Sequence, residues 1–170
     1  MEIRNTATDI RPDKGISIEW DHIKLLEYNR NLQKDLLQFL ENCMPESGRT
    51  FEPLGRHQAV NDIPNSYDAF WYLTDGSQII GTVAVKSLSP DTCELKMMYL
   101  YSACQGKGLG QKLLTHAIRY SAAQGYRKMF LDTTQESRSA ISLYQKNGFH
   151  EISRYNNNPY ADVFMLKDLC

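Results

Sequence analysis

The segment Gln105-Gly106-Lys107-Gly108-Leu109-Gly110 places three glycines at alternate positions between a predicted strand and a predicted helix. Glycines remove Cβ atoms, so backbone N–H groups can crowd around an anion. The helix that follows adds its unpaired first-turn donors and the positive end of its dipole. Such a loop cradles a diphosphate, and Lys107 adds a charge-assisted contact. The same spacing also serves a tight turn for close strand–helix packing. Two nucleotide fingerprints are excluded. A Walker loop needs G-x-x-x-x-G-K-[ST], and neither this segment nor Gly76 to Gly81 has a Lys-Ser/Thr pair after its last glycine. A dinucleotide loop counted from Gly106 meets Gly108 and then Gln111 where its third glycine belongs, and the hairpin before it does not open a βαβ unit.

Other reactive side chains are less well placed. Cys104 borders the loop, but no histidine lies nearby in sequence to activate it, so it reads as an incidental thiol. His116 falls on the helix after the loop, His150 in a late strand, and His22 and His57 in the amino-terminal half, all as packing or surface residues. Cys43, Cys93, Cys104 and Cys170 form no C-x-x-C pair, so no metal site is expected and the thiols are read as reduced.

The elements that must hold the loop follow from hydrophobic periodicity. A strand is predicted near Glu2 to Thr6, then a long helix from about Asp21 to Cys43, with Leu25, Tyr28, Leu32, Leu36 and Phe39 on one stripe and Asp21 as cap. Residues 50–66, with Pro53, Gly55 and Pro64, read as a loop holding one short helix. Two β-rich runs, YDAFWYLT and QIIGTVAVKSL, flank Asp75-Gly76 as a hairpin, and Ser89-Pro90-Asp91 turns the chain into CELKMMYL. After the glycine loop come a helix with Leu109, Leu113, Leu114, Ala117 and Ile118, the strand YRKMFLDT, and a helix with Ala140, Ile141 and Tyr144 closed by Gly148. A final hairpin joins GFHEISRY and DVFMLKDL through NNNPYA. The strand–helix–strand run requires one parallel pair within an otherwise antiparallel sheet.

The 170 residues predict one domain over 1–170, large enough to bury roughly 70% of its unfolded surface. Nineteen basic against twenty acidic residues give a net charge of -1, which argues against nucleic-acid binding. No apolar run reaches the ~18 residues that span a bilayer. The charged start MEIRNTATDIRPDKG lacks the apolar core of a signal peptide, so the expected location is cytoplasmic, with no membrane partner.

The pattern Q-x-x-G-x-G after a strand ending in Tyr99-Leu100 resembles the GNAT superfamily of acyl-CoA-dependent N-acetyltransferases. The resemblance is densest over CELKMMYLYSACQGKGLGQKLLTHAIRYSAAQGYRKMFLDT, similar to the family's motif A, and AISLYQKNGF, similar to its motif B. It implies an α/β (α+β) fold: a mixed, mostly antiparallel central sheet with a parallel splayed strand pair, flanked by helices. It implies acetyl-CoA (coenzyme A) as cofactor, its pyrophosphate on the amides of Gly106, Lys107, Gly108, Leu109, Gly110 and Gln111, with Gln105 shaping the entrance. The pantetheine arm then lies against the backbones of Met98, Tyr99 and Leu100 on a bulged strand, where N–H groups near Met98 polarise the thioester carbonyl. Tyr144 matches the tyrosine that protonates the departing thiolate, a phenol of pKa ~10 serving a thiol of ~8.5; it also reads as a core aromatic beside Ala140 and Ile141. Ser137 stands where many members place a pantetheine-binding asparagine.

Glu94 matches the catalytic glutamate of histone-acetylating members and Asp132 the base of some ribosomal-protein acetyltransferases. Strand alternation places Glu94, Lys96, Met98 and Leu100 on one face, where Lys96 could make Glu94 a structural ion-pair partner. The acceptor is expected to lie among residues 21–43, 50–66 and 155–160. The function implied is direct transfer of acetyl to a primary amine of a small molecule or amino acid, by a monomer or homodimer. Protein N-terminal or lysine acetylation and a non-catalytic acyl-CoA-binding module remain as alternatives.

Overall fold

The structure, a computed structural model, describes residues 17–169. The strand expected over Glu2 to Thr6, and Cys170, lie outside the described residues. Seven strands form one sheet: β1 Lys24–Glu27, β2 Ala69–Thr74, β3 Ile79–Ser89, β4 Thr92–Leu100, β5 Lys128–Thr133, β6 His150–Ile152 and β7 Val163–Asp168, in the order β1-β2-β3-β4-β5-β7-β6. All neighbours are antiparallel except β4 and β5. The helices are α1 Gln33–Cys43, α2 Ile63–Ser66, α3 Leu109–Ala123 and α4 Arg138–Lys146. This mixed α/β arrangement, mostly antiparallel with one parallel pair, is the expected fold class.

Positions 69–73 and 79–85 are buried without alternation, so β2 and β3 are covered on both faces. Both α1 and α3 pack on β3 and β4. From α1 the core receives Leu36, Phe39, Leu40 and Cys43; from α3 it receives Leu113, Leu114 and Ala117.

The long helix expected from Asp21 to Cys43 is corrected. Only its second half is α-helix; Trp20–His22 is a 3-10 turn and Lys24–Glu27 is the edge strand β1, paired with β2 from Lys24↔Thr74 to Glu27↔Trp71. The periodicity failed because β2 needs a partner for its edge N–H and C=O groups. Asn29 marks the break: its backbone is extended, and its side-chain oxygen accepts the Asn31 N–H at 3.1 Å, which restarts the chain into helix. Residues 50–66 hold two short turns of helix rather than one, Gln58–Asn61 and α2.

Gly81 of β3 stands opposite Leu100 of β4. A Cβ there would lie 3.1 Å from the Tyr99 carbonyl oxygen and 3.0 Å from Leu100 Cδ1. A backbone carbonyl cannot swing aside as a side chain can. Gly81→Ala is therefore expected to destabilise by about 1–3 kcal/mol, the range for overpacking, which thermal denaturation reads as a fall in Tm of several degrees.

Candidate active site

β4 and β5 pair only from Thr92↔Lys128 to Glu94↔Phe130. Beyond Glu94 the two strands separate, and the β5-facing edge of 95–100 has no strand beside it. The separation coincides with a bulge: Thr82 pairs with Tyr99 and Ala84 with Lys96, so Val83 opposes both Met97 and Met98. Met97 has φ of 51°, a left-handed conformation rare for a residue with a Cβ. Buried Thr82 holds it by donating its hydroxyl to the Met97 carbonyl at 2.7 Å.

The bulge corrects the expected faces of β4. Lys86, Ala84 and Thr82 of β3 pair with Glu94, Lys96 and Tyr99, so these three share a face. The extra residue moves Leu100 to the other side, where Leu100 and Leu113 both approach Gly81. Tyr99 takes its place on the face of Glu94.

The glycine loop stands at the end of β4, after the 3-10 turn Ser102–Cys104. Gly106 and Gly108 have φ of 75° and 79°, and a Cβ at either would meet nothing within 4 Å, so the loop presents bare backbone. Gly108 precedes the first residue of α3 and no side chain caps that helix, leaving its first-turn N–H groups to an outside acceptor. This is the donor set that a pyrophosphate fits. Gly110 has a packing role, since its Cβ would come within 3.3 Å of Leu143 Cδ2. Lys107 stacks its ammonium 4.5 Å from the Trp20 ring centroid, and Gln105 donates to the Leu100 carbonyl at 3.4 Å.

The carboxamides of Gln111 and Asn147 pair reciprocally, at 2.7 and 2.9 Å, and lock α3 to the end of α4. That lock carries Tyr144 over the bulge. Its hydroxyl donates to Met98 Sδ at 3.9 Å, and its ring packs 5.8 Å from that of Phe149. Burial pushes the phenol well above its ordinary pKa, with Tyr99 and Asp132 adding and Arg49 opposing. Ser137, just before α4, exchanges a 3.2 Å hydrogen bond with Thr134 and accepts another from Arg49 Nη2 at 3.2 Å.

Glu94 is 6% exposed. Its Oε1 accepts the Tyr155 hydroxyl at 2.8 Å and the Asn156 amide at 3.4 Å, with Lys96 Nζ 3.6 Å away. Asn156 also donates to Asp132 Oδ2 at 2.6 Å, joined by Asn158 at 3.2 Å. The polar run Tyr155 to Asn158 thus ties the two candidate carboxylates together.

A cavity of about 540 Å³ follows this edge, lined by Glu94 to Tyr99 of β4, by 131–134, Ser137 and Tyr144, and by Asn156 and 158–161. Its remaining wall includes Arg49, Arg56 and His57, none of which spacing in the sequence singled out. His57 accepts the Glu52 N–H on Nδ1 at 2.9 Å; burial, with Arg56 beside it, holds it below its usual pKa, so it is neutral with its proton on Nε2. The other histidines are away from the cavity: His116 meets the Trp71 ring edge-on and His150 is exposed. Cys104 is fully buried and burial pushes its thiol up to about 12, which removes it as a nucleophile. Among the described residues no His, Cys, Asp and Glu cluster could hold a metal ion, and no helix is long and apolar enough to cross a membrane.

The bulged strand β4 thus splays from its parallel neighbour β5, with the glycine loop at its end. The sequence model of the acetyltransferase (GNAT) family matches residues 34–149, and the chain belongs to that family. It is 33% identical over 107 residues to the uncharacterized N-acetyltransferase YjgM of Escherichia coli, covering 59% of this chain and 64% of that protein. It is 36% identical over 78 residues to a mycothiol acetyltransferase of Corynebacterium glutamicum, covering 46% of this chain and 27% of that one. The chain thus spans less than two thirds of each.

Among solved structures, a GNAT-family acetyltransferase of Staphylococcus aureus aligns with a TM-score of 0.77 at 24% identity, over 87% of this chain and 99% of that one. The PaiA N-acetyltransferase of Thermoplasma acidophilum, solved in complex with coenzyme A, aligns at 0.70 and 19%, over 86% and 98%.

Proposed function

We propose that the chain, as one domain in the cytoplasm, transfers acetyl from acetyl-CoA to a primary amine of a small molecule or amino acid by direct attack. The observation that carries this reading is the gap between β4 and β5, which sets Tyr144, the bulged backbone and Glu94 around one cavity. Acetyl-CoA supplies the activated acetyl group as a thioester. In the transfer the bond from nitrogen to the acetyl carbon forms, the carbon–sulfur bond breaks, one proton leaves nitrogen and one reaches sulfur.

The loop amides from Gly106 to Gln111, with Gln105 at the entrance, hold the pyrophosphate, and the edge of Met98, Tyr99 and Leu100 holds the pantetheine arm alongside Ser137. Backbone N–H groups near Met98 stabilise charge that develops on the carbonyl oxygen. Glu94 accepts the amine proton, oriented by Tyr155 and Asn156. Tyr144 keeps its proton until sulfur needs it. The burial that raises its pKa disfavours a free phenolate, so the proton passes to sulfur as the carbon–sulfur bond breaks, and the phenol regains a proton from solvent afterwards.

Release of free thiol from acetyl-CoA across a panel of amines tests the reading; binding of acetyl-CoA with no release for any amine leaves a non-catalytic module instead. Glu94→Gln keeps an oxygen for Tyr155 and Asn156 but removes the base. A loss of roughly 10²-fold in kcat/KM is expected. Unaltered turnover would move the role to Asp132 or to water.

A further inference from the structure

The cavity is more cationic than the chain around it. Arg49, Arg56, Lys86 and Lys96 line it against two carboxylates, Glu94 and Asp132, while the whole chain carries a net charge of -1. Lys96 is committed to Glu94. Arg49 bonds only neutral oxygens among the described residues, the Ser47 and Ser137 hydroxyls at 3.1 and 3.2 Å. Arg56 lies 4.0 Å from the Tyr160 ring centroid, donates from Nη2 to the Thr50 carbonyl at 3.1 Å, and its Nε faces Glu52 Oε1 at 3.7 Å, an ion pair beyond hydrogen-bond distance. The coenzyme phosphates do not account for these charges, because no residue from 105 to 111 lines this cavity.

The fields of Arg49 and Asp132 both reach the hydroxyls of Tyr99 and Tyr144, with opposite sign. Guanidinium groups from residues between α1 and α2 and carboxylates from β4 and β5 thus line one cavity, with Lys86 and Lys96 on the side of Glu94. A primary amine with a carboxylate of its own matches both kinds of group. Carboxylate suits the planar guanidinium fork better than a neutral polar group does.

We infer that the acceptor is an amino carboxylate, its carboxylate gripped by Arg49 and Arg56 and its amine presented to Glu94. The inference rests on the cavity being the acceptor site proposed above. It is tested on the full chain with matched probes, free amino acids and the carboxamide of each, read both as thiol release from acetyl-CoA and as calorimetric binding in the presence of coenzyme A.

The expected result is a kcat/KM for the best acid roughly 10- to 10²-fold above that of its carboxamide, the range of a charge-assisted contact, expressed mainly in KM. In Arg49→Gln and Arg56→Gln that ratio falls toward one while acetyl-CoA affinity holds. Carboxamides or cationic amines used as well as acids by the unaltered protein would overturn the inference and leave acetyl transfer standing. So would an Arg49→Gln variant that loses acetyl-CoA affinity but keeps the preference for acids. Acids that bind through both arginines with no thiol released would sustain the anion site and refute acetyl transfer. No acid bound and none acetylated would refute the site.

Discussion

Tyr144→Phe lowers kcat by roughly 10²-fold, the low end for loss of a general acid, and leaves acetyl-CoA affinity little changed. The substitution removes one oxygen and keeps the ring against Phe149 and Met98. The hydroxyl donates to a thioether at 3.9 Å, a weak acceptor, so its loss costs the folded state little. Thermal denaturation should therefore give a Tm near that of the unaltered protein, separating a chemical defect from a structural one. Saturating both substrates and following thiol release reads kcat alone. Unchanged turnover would return Tyr144 to the buried face of α4 as a packing residue.

Gly108→Glu abolishes acetyl-CoA binding for practical purposes, by an expected 10²- to 10³-fold in Kd. At φ of 79° any side chain carries left-handed strain of about 1–2 kcal/mol, although a Cβ there meets no protein atom within 4 Å. The larger effect is a carboxylate placed among donors aimed at a diphosphate, where like charges repel by about several kcal/mol. Gly108→Ala separates the two: it shares the strain but not the charge, so its Kd should rise far less while its Tm falls similarly. Equal Kd values for the two variants would mean that backbone shape, not anion binding, is what the loop provides.

The parts of this fold written in local chemistry could be read from the sequence. The hairpin at Asp75-Gly76, the loop ending at Gly110, the helix Leu109–Ala123 and the glycine after α4 each follow from turn, cap or period signals within a few residues. What failed was decided at a distance. β1 exists because β2 needs an edge partner, and a helix-like stripe from Leu25 to Leu32 gives no hint of that. The bulge at Met97 requires a count of residues on the facing strand, so period two put Leu100 where Tyr99 stands. Likewise Tyr155 lies 61 residues from the carboxylate it orients and Arg49 lies 88 from Ser137, separations with no periodic signature. The acceptor segments could be named, but not the side chains in them that meet the cavity.

Calorimetric titration of the unaltered protein with acetyl-CoA tests the central claim, that the splayed β4–β5 edge and the glycine loop form one coenzyme site. The predicted result is a single site per chain with Kd between about 1 μM and 1 mM, lost in Gly108→Glu and kept in Tyr144→Phe. A titration with no heat of binding at high micromolar protein and ligand, or binding undiminished by Gly108→Glu, would contradict it.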